Sequence, residues 1–148
     1  RVTYMGDPYS CAFSGKALTF FSSRNLASPE LLEQRTIEER IDSVFYSDEY
    51  AAAIVRNTNG EYGSRLEVYK KDGTHVLSKE FNFEYTHADF DGDLIILYNE
   101  DSCRIYNMSG TEKFDATFDF PVSRIRKGRF PGTLVVTGPQ QMRELKLH

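Results

Sequence analysis

The sequence lacks tryptophan, has no long apolar run and carries no excess of positive charge. A membrane-spanning helix needs roughly 18 consecutive apolar residues, and no stretch approaches that length, so no membrane span is expected within this chain. The 18 lysines and arginines are outnumbered by 22 aspartates and glutamates, which gives a net charge of -4. The chain therefore has no basic field to hold a phosphate backbone, which argues against nucleic acid as a partner.

Histidine is also scarce. His75, His87 and His148 are far apart in the sequence, and no two of them have the spacing of metal ligands. We therefore predict that all three are surface residues. No metal site and no cofactor are expected.

Motifs that carry chemistry are few. The stretch DFDGD, residues 89–93, places three carboxylates at alternating positions, as the start of a calcium-binding loop does. A calcium loop of the EF-hand type needs glycine at its sixth position, whereas here glycine is fourth, so we predict a hairpin turn without calcium. The sequence also contains no GxSxG elbow, and no catalytic residue is predicted.

What the sequence does contain is a repeat. VYKKDGTHVLSKEFNF (68–83) and IYNMSGTEKFDATFDF (105–120) align with a constant offset of 37 residues. The matched pairs are Val68 with Ile105, Tyr69 with Tyr106, Gly73 with Gly110, Thr74 with Thr111, Phe81 with Phe118, and Phe83 with Phe120. A constant offset around a turn glycine indicates duplication of a supersecondary unit.

The surrounding sequence predicts strands. Tyrosine and phenylalanine make up 14% of the chain and favour pleated, half-buried surfaces. Four short apolar runs, ALTFF (17–21), AAAIV (51–55), LIIL (94–97) and TLVV (133–136), each follow a turn signal, and all are too short to be helices. Together with the extended segments around them, they predict units of four strands and about 40 residues, the size of a propeller blade.

The predicted fold is therefore all-β, built from antiparallel four-stranded blade repeats of a partial β-propeller of the WD40-like or YVTN-like kind. The units fall at about 9–40, 41–83, 85–120 and 122–148, with the first and last incomplete. Because propellers usually close with at least four blades, we expect residues 1–148 to form a single domain that is a fragment of a larger propeller.

Residues 28–40 allow two interpretations. Ser28 and Pro29 match the start of a helix. The blade pattern instead requires strands here, and the apolar residues form a poor helical stripe, so extended structure from Leu32 to Ile37 is favoured.

The two cysteines also allow two interpretations. Cys11 and Cys103 could form a disulfide in an oxidising compartment. The repeat, however, places Cys103 where Leu66 lies in the preceding unit, which favours a small buried thiol.

The candidate binding site is the loop NTNGEYG, residues 57–63. It appears about six residues longer than its counterpart NEDS in the next unit, and extra length on one turn of a repeat is often where binding is added. Asn59, Glu61 and Tyr62 are the predicted binding residues, with Tyr62 as the aromatic contact. A tolerated surface insertion is the alternative.

The strings YMGDPYSCAFSGKALTFFSS and IDSVFYSDEYAAAIV, and the pair VYKKDG and IYNMSG, resemble a bacterial family, domain of unknown function 5711. The resemblance covers nearly the whole chain. It implies a propeller-like repeat region outside the cell, held by one upstream transmembrane anchor that is not part of this sequence. It implies no catalytic residue.

Two functions follow as hypotheses. The favoured one is a noncatalytic recognition or scaffolding module of an exported or cell-surface bacterial protein, which binds a protein, peptide or glycan. The alternative is a hydrolase or lyase that shares its site with blades absent from this chain, with Asp42, Asp89 and Asp119 as possible acids.

Self-association through edge strands is also expected. Pairing between chains is favoured over pairing of Val2 with Leu147 within one chain.

Overall fold

The computed structural model describes residues 2–4, 8–24, 28–57 and 60–147. These residues form fifteen strands in four antiparallel sheets, and the described part of the chain contains no helix. In every sheet, strands that follow one another in sequence are hydrogen-bonded neighbours. The prediction of an all-β fold made of antiparallel repeats is confirmed.

The strand bounds follow the sheets in order. The first sheet contains β1 (Val2–Tyr4), β2 (Tyr9–Ser14), β3 (Ala17–Ser22) and β4 (Glu30–Thr36). The second contains β5 (Ile41–Tyr46), β6 (Tyr50–Arg56), β7 (Ser64–Lys70) and β8 (His75–Phe81). The third contains β9 (His87–Asp91), β10 (Leu94–Tyr98), β11 (Ser102–Asn107) and β12 (Glu112–Thr117). The fourth contains β13 (Arg124–Lys127), β14 (Thr133–Thr137) and β15 (Met142–Lys146).

The first sheet corrects one prediction. It has four strands and begins at Val2, which pairs with Ala12 on β2, so the prediction that the first blade is incomplete was wrong. The apolar run ALTFF is consequently in the third strand of its sheet, whereas AAAIV and LIIL are in the second strands of theirs. β4 crosses the ambiguous region, which confirms extended structure there in place of a helix.

The 37-residue repeat extends to individual backbone bonds. The Lys70 N–H donates to the Thr74 carbonyl at 2.8 Å, and the Asn107 N–H donates to the Thr111 carbonyl at 2.9 Å. The pairing of the third and fourth strands shifts by one residue after Val68 in the second sheet and after Ile105 in the third. Duplication thus preserved the turn and the β-bulge together.

The chain divides into two compact units, Arg1–Asn82 and Phe83–His148. The core of the first unit includes Leu18, Phe20, Val55 and Tyr69. Ala51 and Ala53 of β6 belong to the same core, and their small side chains leave room for the larger core residues around them. β6 is buried from Ala51 to Val55, so both of its faces are covered, as its continuous apolar run predicts.

The core of the second unit is built from β10, β11 and β14 and the residues around them. Ile96, Ile105, Leu134 and Val136 are almost completely buried in it. Phe118 and Phe120 complete this core, with their ring centroids 5.6 Å apart.

Both cysteines are free and buried, each in the core of its own unit. The favoured interpretation of Cys103 as a packing residue is therefore confirmed. Burial raises the pKa of the Cys11 thiol to about 11 and that of the Cys103 thiol to about 12, because a buried thiolate loses its hydration.

Candidate functional site

The predicted binding loop connects β6 to β7. Seven residues lie between Arg56 and Ser64, against three between Tyr98 and Ser102 in the third sheet, so the extra length is four residues and not six. Asn59 lies outside the described residues. Glu61 is exposed, and Tyr62 is 40% exposed.

Side-chain amides hold this loop in place. The Asn57 N–H donates to the Gly63 carbonyl at 3.0 Å, and Asn57 Nδ2 donates to the Tyr62 carbonyl at 3.2 Å. The Gly63 N–H donates to Asn82 Oδ1 at 2.7 Å. The Tyr62 carbonyl and the Gly63 N–H are therefore both held by side-chain amides, and the partly exposed Tyr62 side chain lies beside them, where an aromatic residue can contact a ligand.

An ion pair lies next to the loop. Arg65 donates two hydrogen bonds to Glu39, at 2.9 and 3.1 Å, and a third to Asn57 Oδ1 at 3.1 Å. The hydrogen bond from Arg65 lowers the pKa of Glu39, because it stabilises the charged carboxylate. These charges satisfy one another, so we assign them to supporting the loop and not to binding.

A second candidate site lies in the second unit, at the short turn between β10 and β11. Asn99 Oδ1 accepts the N–H groups of Asp101 and Ser102, at 3.1 and 2.8 Å, and Asn99 Nδ2 donates to the Glu84 carbonyl at 2.6 Å. The turn is therefore well held, because one asparagine side chain accepts two backbone N–H groups that would otherwise need backbone carbonyls as acceptors.

The segment that follows β12 is bonded to this turn. The Phe118 N–H donates to the Asp101 carbonyl at 2.7 Å, and the Val122 N–H donates to the Glu100 carbonyl at 2.6 Å. Two stretches that are distant in sequence thus lie side by side.

Between them is a groove of about 380 Å³, which we call the acidic groove. It is lined by Glu100, Asp101, Phe118, Asp119, Phe120 and Pro121. A second cavity of about 290 Å³ shares Phe120 and Pro121 with it and is also lined by Pro139, Gln140 and Gln141. The two cavities are therefore neighbours.

The acidic groove combines an apolar floor with a negative rim. Phe118 and Phe120 are buried, whereas Glu100, Asp101 and Asp119 are exposed. Such a surface can pack an apolar group and hold a positive charge beside it.

Arg143 of β15 is a cation that contacts two residues of the acidic groove. Its guanidinium lies 3.2 Å from Asp119 Oδ1 and 5.1 Å from the centre of the Phe120 ring. The groove residues thus already contact one guanidinium of the chain itself, through a carboxylate and an aromatic face.

The other acids considered from the sequence have local roles. Asp42 pairs with Arg40 and Arg56, at 3.2 and 3.5 Å. Asp89 lies on β9, and its Oδ1 accepts the N–H of Phe90 at 2.9 Å. Of the three candidates, only Asp119 lines the groove.

The remaining polar motifs also have structural explanations. Asp91 pairs with Leu94 across a tight turn in which Gly92 has a φ of 58°, so DFDGD forms the predicted hairpin. Over the described ranges, no three His, Cys, Asp or Glu residues are grouped to hold a metal. His75 and His87 are exposed, as predicted, and His148 lies outside the described residues.

A third cavity, of about 260 Å³, lies in the first unit beside Tyr9, Glu49 and Lys71. Lys71 Nζ lies 5.2 Å from the centre of the Tyr9 ring and 3.2 Å from Glu49 Oε1. The lining of this cavity holds two lysines, Lys70 and Lys71, and two carboxylates, Glu49 and Asp72, so it offers no excess of either charge and is a weaker candidate than the acidic groove.

The model of a family of unknown function, DUF5711, matches residues 1–147. The chain belongs to this family. No curated protein matches its sequence significantly. Where the structure is described, no helix has both the length and the apolar character needed to cross a membrane.

Solved structures similar to this chain include β-propeller proteins of the Hsv2 and Atg21 type. KlHsv2 with loop 6CD replaced by a Gly-Ser linker superposes with a TM-score of 0.60 at 10% identity, over 98% of this chain and 48% of that chain. Hsv2 from Kluyveromyces marxianus gives 0.57 at 12% identity, over 94% and 43%. KlAtg21, in a complex with the coiled coil of AgAtg16, gives 0.59 at 11% identity, over 99% and 51%. The chain therefore has a propeller-type fold and spans about half the length of these proteins.

Proposed function

We propose that this chain is a noncatalytic recognition module that binds a protein or peptide partner at the acidic groove. We further propose that it belongs to an exported or cell-surface bacterial protein with an upstream membrane anchor, because the family resemblance implies an anchored repeat region outside the cell. The groove carries the proposal because its backbone is fixed before any ligand arrives. Pre-organised sites lose less conformational entropy on binding.

The size and lining of the acidic groove support recognition. Ligand sites usually enclose roughly 300 to 1,000 Å³ and combine apolar walls with a few polar groups. The acidic groove, at about 380 Å³, has aromatic and proline walls with carboxylates at its rim. The neighbouring cavity adds the polar side chains of Gln140 and Gln141.

The propeller fold is compatible with a protein partner. One similar structure is KlAtg21 in a complex with the coiled coil of AgAtg16. The loop with the exposed Tyr62 offers a second contact surface in the first unit. Glu61 and Asn59 of this loop are proposed to contact the partner together with Tyr62.

A hydrolase or lyase is the second candidate, favoured by the three carboxylates that line one groove. Glycoside hydrolysis uses two carboxyl groups, one of which donates a proton. A proton donor at neutral pH is normally shielded from water, whereas the Asp119 side chain is 80% exposed. Exposure favours binding over catalysis.

The test is selection of peptides from a random display library on the purified chain. Binding of the selected peptides should be lost in Glu100→Arg, which reverses a charge at the groove. It should be retained in Glu144→Arg, which makes the same change on β15 outside the groove lining. Tyr62→Ala tests the loop separately.

Failure to select any peptide, or equal loss of binding in both charge-reversal variants, would refute recognition at the groove. Turnover of chromogenic glycosides or esters that disappears in Asp119→Asn would establish the enzyme instead. Circular dichroism spectra identical to those of the unmodified chain are the control for folding.

A further inference from the structure

The lining of the acidic groove carries negative charges and no positive one. Three carboxylates line it, and Arg143 is the cation that contacts one of them. Glu100 and Asp101 are adjacent in sequence and exposed on one turn, and their backbone carbonyls are occupied by the N–H groups of Val122 and Phe118. An anionic ligand would meet like charges here, which opposes its binding.

Arg143 shows which chemical group suits the surface. Its guanidinium combines a salt bridge to Asp119 with an approach to the face of Phe120. Guanidinium groups favour this combination because they are planar, weakly hydrated and able to stack on aromatic rings. Glu100 and Asp101 lie in the same groove, next to Phe118.

We propose that the acidic groove binds an extended, arginine- or lysine-rich segment of a partner protein. This inference rests on the proposed recognition function and names the chemistry of its partner. One cation of the segment pairs with Glu100 and Asp101 above the Phe118 and Pro121 surface. The neighbouring residues of the segment lie toward Gln140 and Gln141, whose amides can hydrogen-bond with its backbone.

Arg143 then acts as an internal competitor. It holds Asp119 and contacts the Phe120 face, so it reduces the negative charge offered to the partner. Its removal should strengthen binding of a cationic segment, and by more than removal of an arginine elsewhere on the same sheet.

The experiment uses three fluorescein-labelled peptides in anisotropy titrations with the purified chain. They alternate proline with arginine, with glutamate or with glutamine. The arginine peptide should bind at least about tenfold more tightly than the glutamate peptide, because the charges attract in one case and repel in the other. Its affinity should fall as sodium chloride rises from about 50 to about 300 mM, since screening weakens exposed charge pairs.

Variants locate the effect. Glu100→Gln should weaken binding of the arginine peptide about threefold, the size expected for one exposed ion pair. Arg143→Ala should tighten binding by about the same factor. The matched control is Arg126→Ala, which removes an exposed arginine from β13 of the same sheet and should change affinity by less than about 1.5-fold. Arg143→Gln keeps most of the side-chain length and should behave as Arg143→Ala does.

Equal affinities for the arginine and glutamate peptides would overturn the inference, as would equal effects of Arg143→Ala and Arg126→Ala. If display-selected peptides bind at the groove but are not cationic, the recognition function stands and this inference fails. If no peptide of any kind binds, the recognition function fails as well.

Discussion

The turn between β7 and β8 provides a quantitative test of the packing in the first unit. Gly73 has a φ of +91°, a conformation that L side chains rarely adopt. Its N–H donates to the Lys70 carbonyl at 2.9 Å, and its own carbonyl accepts a hydrogen bond from Arg35 Nε at 3.0 Å. The turn is thus tied to β4 of the neighbouring sheet.

We predict that Gly73→Ala destabilises the protein by about 3 kcal/mol. A left-handed backbone costs about 1 to 2 kcal/mol for an L residue. An added Cβ would lie 2.5 Å from Glu33 Cβ and 3.0 Å from Cδ2 of Phe20. Because Phe20 is fully buried and cannot move aside, overpacking adds about 1 to 3 kcal/mol. The lower entropy of the unfolded alanine chain offsets about 0.4 to 1 kcal/mol.

Gly15→Ala is the matched control. Gly15 also has a positive φ, +58°, but a Cβ there would meet nothing within 4 Å. The control therefore reports the backbone cost alone, about 1 kcal/mol. Urea unfolding followed by far-UV circular dichroism measures both variants.

A double-mutant cycle identifies the collision itself. Glu33→Gly removes the Cβ nearest to the new methyl group, so the cost of Gly73→Ala should be smaller by about 1 kcal/mol in the Glu33→Gly background. If Gly73→Ala costs no more than Gly15→Ala, the close packing of this turn against β4 is wrong.

Three further predictions concern pH, calcium and association. Burial raises the pKa of Cys103 from 9.0 to about 12, so its contribution to stability is complete below about pH 9 and is lost as the pH rises toward 12. Urea unfolding at steps of about one pH unit between about pH 8 and 11 should show this fall in the free energy of unfolding. Cys103→Ala should reduce the slope of that free energy against pH by up to about 1.4 kcal/mol per pH unit. A slope that is the same in the variant would contradict the assignment. Calcium at about 1 mM should leave the melting temperature unchanged, and a rise that disappears in Asp91→Ala would show that DFDGD binds the ion. The fourth sheet has three strands among the described residues, with β15 at its edge, so light scattering at about 100 µM should detect self-association, whereas a strictly monomeric mass would count against an open edge.

The repeat was the most reliable guide to the fold in the sequence. Its offset of 37 predicted equivalent turns at Gly73 and Gly110, and both glycines have positive φ values, 91° and 82°. It also identified Cys103 as a packing residue, and Cys103 is completely buried. Repeats are informative because each position keeps its packing role when a unit is duplicated.

The start of the chain was harder to predict. β1 contains only three residues, too few for a pattern of alternation to be visible. A unit that starts at residue 9 makes YSCAFS its first strand, whereas YSCAFS is the second strand of the sheet. The predicted bounds of loop 57–63 agree with the ends of β6 and β7, and only its excess length over the equivalent turn between β10 and β11 was overestimated.

The acidic groove could not have been predicted as a site. Its two walls, residues 100–101 and 118–121, are separated in sequence by β11 and β12. They are joined by backbone hydrogen bonds, which any residue except proline can donate and which leave no side-chain signature. Phe118 and Phe120 were recognised as repeat positions, but their role as a groove floor depends on the adjacent turn.

Charge in particular does not follow the repeat. Glu67 and Arg104 are 37 residues apart and therefore equivalent, yet they carry opposite charges. Glu67 contacts His75 and Ser78, whereas Arg104 contacts Glu112 and Asp115, which occupy the equivalent positions. The central residue changed sign, and the two residues that contact it became acidic, so the contacts were kept while the charge of the central residue was not.

The same freedom explains how a recognition surface can arise on one copy of the unit. Asn82 and Asp119 are also 37 residues apart. Asn82 accepts the Gly63 N–H and supports the loop of the first unit, whereas Asp119 forms the rim of the acidic groove and pairs with Arg143. In the third sheet the turn is instead held by the Asn99 side chain, which accepts the N–H groups of Asp101 and Ser102, so the side chain at 119 is not needed to support the turn. A position that does not hold the turn can carry a charge for a partner, and this is why the variants that test the preference of the groove for cations all lie in the second unit of the whole chain.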